Sequence, residues 1–293
     1  MAIPINSDVV TTPPQDSATV MVLRDSPEGL QVLLMRRHGN SGVLGGVHVF
    51  PGGKLDAADQ VLAPAQLDLP LHALPQRLAE PQLPATTAAG LHVAALRETL
   101  EEAGLLLGAP LDRAQRQALL AAVQAGQGLA QALAARSHAV PVGCLMPWSR
   151  WITPRVPSVT NRRFDTRFFV TRLPQGQEAE HDNHEATEAV WTTPRAALTA
   201  YWARQMDLAP PQIMSLCQLQ ALPSVDAALA LAASRPPLLV EPQPFDQDGA
   251  RVICYPGDPA HPVSTPGWAG PTRLTYREGR FEPEGGLAAF WAV

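Results

Sequence analysis

The sequence predicts an α/β protein. Two short alternating runs sit around a turn near the N-terminus, a long amphipathic helix ends at a glycine, and strand-like and helical runs then interleave to about residue 234. Taken in order, residues 1–17 are polar, contain Pro13-Pro14 and read as a loose tail. Residues 19–23 and 30–36 are rich in β-branched and long apolar side chains and flank Ser26-Pro27-Glu28-Gly29, so they read as paired strands. A short extended run at 46–49 leads into Phe50-Pro51-Gly52-Gly53. Residues 60–87 hold prolines at 64, 70, 75, 81 and 84 between leucines, which predicts an irregular, structured insertion too apolar for a free linker.

The long helix follows, with Thr86 or Thr87 as its candidate cap and Gly104 as its stop. Residues 112–136, rich in Ala, Leu and Gln and broken by Gly126 and Gly128, predict two short helices. Strands are expected at 140–146, 163–171 and 187–192, and helices at 194–206, 211–221 and 224–234. From Pro236 the chain is rich in Pro and Gly. It keeps strand-like pieces at 251–255 and 273–276, the second turning at Glu278-Gly279 towards Phe281. The expected organisation is a tail at 1–17, a main domain at 18–206 and an extension at 207–293 packed on it.

Composition narrows the function classes. A net charge of −5 argues against nucleic-acid binding through a basic surface. Cys144, Cys217 and Cys254 are odd in number and far apart, so neither a disulfide framework nor a zinc site is indicated. No apolar run reaches membrane-spanning length, so no membrane partner is expected. Met1-Ala2-Ile3-Pro4 opens no charged-then-apolar segment and the chain closes on Trp291-Ala292-Val293, which makes the cytoplasm the expected compartment. Oligomeric state is open, a homodimer included.

The chemistry concentrates in Arg97-Glu98-Thr99-Leu100-Glu101-Glu102-Ala103-Gly104-Leu105. On a helix, with residue 98 as reference, Glu102 falls about 40° to one side and Glu101 about 60° to the other. Val93, Leu96, Leu100 and Ala103 take the opposite side. Each close carboxylate pair costs roughly 3 kcal/mol at an effective dielectric of about 20 before solvent screening. Glu101 and Glu102 also stand in the last turn, where the helix dipole disfavours negative charge. A hard divalent cation would reverse both penalties, and oxygen-only ligands suit magnesium or manganese. A solvated acidic face is the alternative reading of the helix taken alone.

Gly52-Gly53 lets the backbone approach a phosphate or metal closely. Together the two segments resemble the Nudix hydrolase signature, G-x5-E-x7-R-E-U-x-E-E-x-G-U, with U a bulky apolar residue. Gly53 fits the opening glycine, Asp59 stands where the family has Glu, and Arg97, Glu98, Glu101, Glu102, Gly104 and Leu105 fit the remainder. Thr99 takes a position that is usually apolar, and the spacer runs from 60 to 96, about 30 residues longer than usual. A split box preceded by His48-Val49-Phe50-Pro51 resembles the branch of the peroxisomal coenzyme A diphosphatase, which carries a long insertion there. Leu33 to His38 resemble the motif that coenzyme A-cleaving members place before the box, although Met35, His38 and Gly42 depart from it. Trp151-Ile152-Thr153-Pro154 and residues 163–169 also resemble that branch.

The resemblance implies an α/β/α sandwich with a mixed sheet, an insertion inside the box and a C-terminal extension. It implies a metal-dependent enzyme that cleaves the diphosphate bridge of a small nucleotide-derived substrate, with coenzyme A or acyl-coenzyme A leading and ADP-ribose or a nucleoside diphosphate sugar as alternative. A non-catalytic ligand sensor is the second alternative. The implied metal set is Glu98, Glu101, Glu102 and the Gly53 carbonyl, for Mg2+ or Mn2+. The implied catalytic set is Glu98, Arg97 and Glu185, with Glu98 and Glu185 both open as general base and Arg97 orienting the acids. Arg37, Arg162 and Arg163 are candidate substrate contacts, Arg being suited to bidentate oxygen binding. The insertion, fixed at both ends beside the box, is expected to form a wall of the substrate cleft. Trp148 and Trp151 read as packing residues in preference to adenine platforms.

Overall fold

The fold is organised around β1 (Gln15–Ser26), whose alternation splits its side chains between two cores. Ala18, Val20 and Val22 enter one core and Met21 and Leu23 the other, all fully buried. The computed structural model describes residues 5–39, 45–159, 161–180 and 186–291. β1 pairs antiparallel with β2 (Gly29–Arg37) through the expected turn, and parallel with β6 (Phe164–Arg172) on its other edge. β2 also carries β3 (His48–Val49) and β7 (Ala186–Thr192), while β4 (Gly52–Lys54) pairs with the start of β1. β5 (Met146–Ile152) continues from β6 and ends on β8 (Leu238–Val240), completing an eight-stranded mixed sheet.

One face of the sheet packs against α1 (Leu74–Arg77), α2 (Ala85–Ala103), α3 (Arg113–Gln124) and α4 (Leu129–Ala134). The other packs against α5 (Pro194–Trp202), α6 (Pro210–Leu219) and α7 (Val225–Ser234). A separate antiparallel sheet of β9 (Gln243–Gln247), β10 (Ala250–Cys254), β11 (Arg273–Arg277) and β12 (Arg280–Pro283) leans on that second core through Ile253, Leu274 and Phe281.

Several expectations need correction. The segment before β1 is held from residue 5 onward. Asn6 N–H donates to the Ser158 carbonyl at 2.9 Å and Val10 N–H to that of Arg155 at 2.7 Å. The strand expected at 140–146 begins at Met146, since Pro141 has no N–H for a ladder and residues 142–144 form a 3-10 turn. Residues 207–240 belong to the main body, because α6 and α7 fill the second core and β8 extends the sheet. The box helix starts at Ala85 behind Pro84, with no side-chain cap from Thr86 or Thr87. Its C-terminus is as expected, with Gly104 left-handed at φ 65° and its N–H on the Leu100 carbonyl.

The insertion between β4 and α2 is anchored in two ways. Leu74 and Leu78 are buried in the first core, each contributing roughly 1.5–3 kcal/mol. Glu80 then forms a fork with the buried Arg167 at 2.9 and 2.7 Å, and Arg150 reaches the same carboxylate at 2.8 Å. Arg167 also meets Asp16, and Arg150 grips Asp165 at 2.8 and 2.6 Å. Although burial opposes its charge, Glu80, Asp165 and Asp16 hold the Arg167 guanidinium above its ordinary pKa. Removing one partner would leave a buried charge unmatched. Glu80→Ala is therefore expected to destabilise the fold by about 3 kcal/mol in urea unfolding, and an effect under about 1 kcal/mol would show that the network is not structural.

His92 lies in the middle of α2, fully buried against Phe169, with Nδ1 2.7 Å from the Ala88 carbonyl. Burial pushes its pKa down from 6.5 to about 4, so the folded state holds it neutral. Below pH 6.5 the unfolded chain binds a proton that the folded chain refuses. The stability this position supplies is therefore complete above pH 6.5 and is lost as pH falls towards 4. His92→Leu is expected to flatten unfolding free energy against pH in that window by up to about 3 kcal/mol. An unchanged slope would assign the acid sensitivity elsewhere.

Candidate active site

The two halves of the split motif meet at Arg97. All five of its N–H donors are used. Nε and Nη2 form a fork on Asp59 at 2.9 Å each, Nη2 also donates to the Lys54 carbonyl at 3.0 Å, and Nη1 divides between Glu98 at 2.9 Å and Glu101 at 2.8 Å. Asp59 is 1% exposed, and its carboxylate also accepts the Asp56 N–H at 2.9 Å, closing a short 3-10 turn at Ala57–Gln60. That turn packs close to α2, where a Cβ on Gly90 would meet Gln60 and Leu55. Burial opposes the Arg97 charge, but Asp59, Glu98 and Glu101 outweigh it and raise its pKa above the ordinary value.

The glycine loop is pressed against both β1 and the helix. A Cβ on Gly52 would collide with Thr19 and the Ala18 carbonyl, and one on Gly53 with the Glu98 carboxylate. Gly52 N–H donates to Glu102 at 3.0 Å, which ties the loop to the buried member of the acidic trio. β1, β4, the C-terminal half of α2 and the start of β6 together border a cleft of about 630 Å³. Gly53, Arg97, Glu98, Glu101, Arg37 and Arg162 line it.

The structure thus brings Gly53, Arg97, Glu98 and Glu101 to one cleft, with Glu102 just behind its surface. Arg37 lines the same cleft and its Nε is buried without a hydrogen-bond partner, a donor positioned for an anionic ligand. Arg163 does not face it, since its guanidinium donates to the carbonyls of Thr153 and Thr12 at 3.0 and 3.2 Å and ties the N-terminal segment to the body. Glu185 lies outside the described residues. No residue from 60 to 87 borders the cleft, which corrects the expectation that the insertion would form one of its walls. Its leucines and Glu80 are committed to the sheet and first core instead.

Trp148 is 1% exposed, donates to Gln218 at 3.0 Å and lies under the Arg235 guanidinium. Trp151 stacks on Trp268 with ring centroids 6.4 Å apart. Both are packing residues in this structure. Thr99, the departure from the apolar pattern, is buried with its hydroxyl donating to the Ala95 carbonyl at 2.7 Å, so the helix itself satisfies it. Sequence reasoning left the placement of Asp59 open. Its local signal was the Asp56-x-x-Asp59 spacing of a capping box, which fixes the turn but not the distant arginine.

The donors of a hard cation are present as oxygens, namely three carboxylates with the Gly53 backbone packed against one of them. Among the described residues no three acidic, histidine or cysteine side chains are assembled as a ready metal-holding group. Arg97 Nη1 engages Glu98 and Glu101 together, and the Gly52 N–H engages Glu102. The donor chemistry fits Mg2+ or Mn2+.

The chain belongs to the NUDT19 Nudix domain family, whose model matches residues 9–219. It is 31% identical over 231 residues to the acyl-coenzyme A diphosphatase NUDT19 of Homo sapiens and 29% identical over 238 residues to that of Gallus gallus. Each match covers 66% of this chain, but only 61% and 62% of those relatives, so the chain matches somewhat less than two thirds of their length. Among solved structures, the Nudix hydrolase from Alicyclobacillus acidocaldarius superposes with a TM-score of 0.60 at 28% identity, covering 78% of this chain and 99% of that one. The mixed α/β architecture is therefore a Nudix fold. No helix among the described residues is long and apolar enough to cross a membrane.

Asp59 is the residue to perturb here. Asp59→Ala would strand a buried guanidinium and free Arg97 to swing away from Glu98 and Glu101. The expected results are a loss of about 3 kcal/mol of stability and a weaker hold on divalent cations in calorimetric titration. Wild-type stability and cation affinity together would show that Arg97 needs no anchor.

Proposed function

We propose that the chain is a divalent-metal-dependent Nudix diphosphatase that cleaves coenzyme A or acyl-coenzyme A at the diphosphate bridge. The observation that carries this reading is the closure of the split motif, by which Arg97 and Asp59 bring Gly53, Glu98 and Glu101 to one cleft beside Arg37. The relatives named acyl-coenzyme A diphosphatase support the substrate class. Water attacks one phosphorus, the bridging oxygen leaves with the other, and the products are 4′-phosphopantetheine (or its acyl derivative) and adenosine 3′,5′-bisphosphate.

Glu98, Glu101 and Glu102, with the Gly53 carbonyl, would hold Mg2+ or Mn2+. When bound, such an ion neutralises the diphosphate and makes a water more acidic. Arg97 and Asp59 are positioning residues, since every donor of Arg97 is spent on protein and none remains for substrate. Arg37 and Arg162, on the cleft rim, would contact phosphate oxygens. Proton removal from the attacking water falls to Glu98 or Glu185. A small soluble substrate in the cytoplasm completes the reading, with no nucleic-acid or membrane partner.

Glu102→Gln tests the site. The amide oxygen can still accept the Gly52 N–H while a ligand charge is lost. Turnover of coenzyme A with Mg2+ or Mn2+ is expected to fall at least ~100-fold, with metal-free stability equal or slightly higher because like-charge repulsion is relieved. A fully active variant would remove Glu102 from the site. Efficient turnover of ADP-ribose without coenzyme A would keep the chemistry and reject the substrate, and absence of any metal-dependent hydrolysis would favour a ligand sensor.

A further inference from the structure

A second cavity, of about 210 Å³, adjoins the candidate active site, and the two spaces share Thr19, Val49, Phe164 and Thr166 as lining residues. Its remaining walls are predominantly apolar and come from parts of the chain far from the split motif. They include Val159 from the loop before β6, Pro211 from the start of α6, Ile253 from the small C-terminal sheet and Tyr255 just after it. None of these bears a charge, and among the described residues no Arg, Lys, Asp or Glu borders the cavity.

Apart from Gln212 and the buried Tyr255 hydroxyl, which has no partner in the protein, the lining offers the ring edges of a nucleobase few hydrogen-bond partners. Thr153 Oγ1 already accepts the Phe164 N–H at 3.0 Å, and Thr166 Oγ1 is bonded to Ser17 Oγ at 2.7 Å. The aromatic face offered by Trp151 is shared with Trp268, and its indole N–H is spent on Ser149 at 3.1 Å. An alkyl chain makes no such demands and gains from leaving water. Resting on the diphosphatase reading above, we propose that this cavity takes the apolar end of an acyl chain carried on the non-nucleotide side of the substrate. Val159 and Ile253 set the chain length it admits. The cleft holds the diphosphate and the polar arm, and the C-terminal sheet acts as a selectivity wall.

The test compares kcat/KM for free coenzyme A, acetyl-, octanoyl- and dodecanoyl-coenzyme A with Mg2+, using the full chain and the variants Val159→Trp and Ile253→Val. Val159→Trp fills the cavity and is expected to lower the octanoyl-to-acetyl ratio at least tenfold. Ile253→Val enlarges it and is expected to raise the dodecanoyl-to-octanoyl ratio, carrying the test should Val159→Trp not fold. Hydrolysis of coenzyme A with ratios that neither variant moves would overturn the cavity assignment and leave the diphosphatase reading intact. An equal fall for free coenzyme A and every acyl derivative would put the common part of the substrate there and overturn it too. No hydrolysis of any coenzyme A species would reject the functional reading itself.

Discussion

The fork between the Arg97 guanidinium and the Asp59 carboxylate joins residues 38 positions apart and reassembles a motif that the chain interrupts. Each partner is poorly hydrated where it stands, Asp59 at 1% and Arg97 at 9% exposure, so neither is stable there without the other. The remaining donors of Arg97 then fix the end of the glycine loop through Lys54 and two of the three helix glutamates. Loop, turn and helix are thereby referred to one planar group. Its geometry sets the spacing between Gly53 and Glu98, close enough that a Cβ at position 53 would displace the Glu98 carboxylate.

The long insertion follows from the same constraint. A chain leaving the Asp59 turn must travel around the near end of α2 and re-enter at Pro84, and it uses that path to cover apolar surface and to place Glu80 under β5 and β6. Arg167 is satisfied by Glu80, Asp16 and Asp165, which links the insertion to β1 and β6 in one ion network. The insertion is therefore a buttress behind the cleft, and the cavity adjoining the cleft is walled from the other direction, by the loop before β6, α6 and the C-terminal sheet.

Much of this was legible locally. The β1–β2 hairpin announced itself through its alternation and the Ser26-Pro27-Glu28-Gly29 turn, and the acidic face of α2 through its spacing and the Gly104 stop. Contacts between distant segments were not legible. Nothing near Asp59 indicates that the helix begins at Ala85, which is what carries Arg97 back over the turn, and nothing near Arg163 points to Thr12. β9 was missed although Asp248-Gly249 marks its hairpin with β10, both residues having positive φ, because Pro244 and Asp246 obscure the strand pattern. Arg150 and Arg167 look alike in sequence to substrate-binding arginines, and only their burial with Glu80 and Asp165 sets them apart.

The central claim is that the reassembled acidic cleft cleaves a diphosphate by attack of water on phosphorus. Incubating the chain with octanoyl-coenzyme A and Mg2+ in 18O-labelled water, followed by mass spectrometry, tests it most directly. The expected result is one labelled oxygen on a phosphate of either adenosine 3′,5′-bisphosphate or acyl-phosphopantetheine, with the thioester intact. Free octanoate carrying the label beside unlabelled, undivided coenzyme A would contradict the account, because it would place the chemistry at the thioester and leave the Arg97–Asp59 assembly without its assigned role.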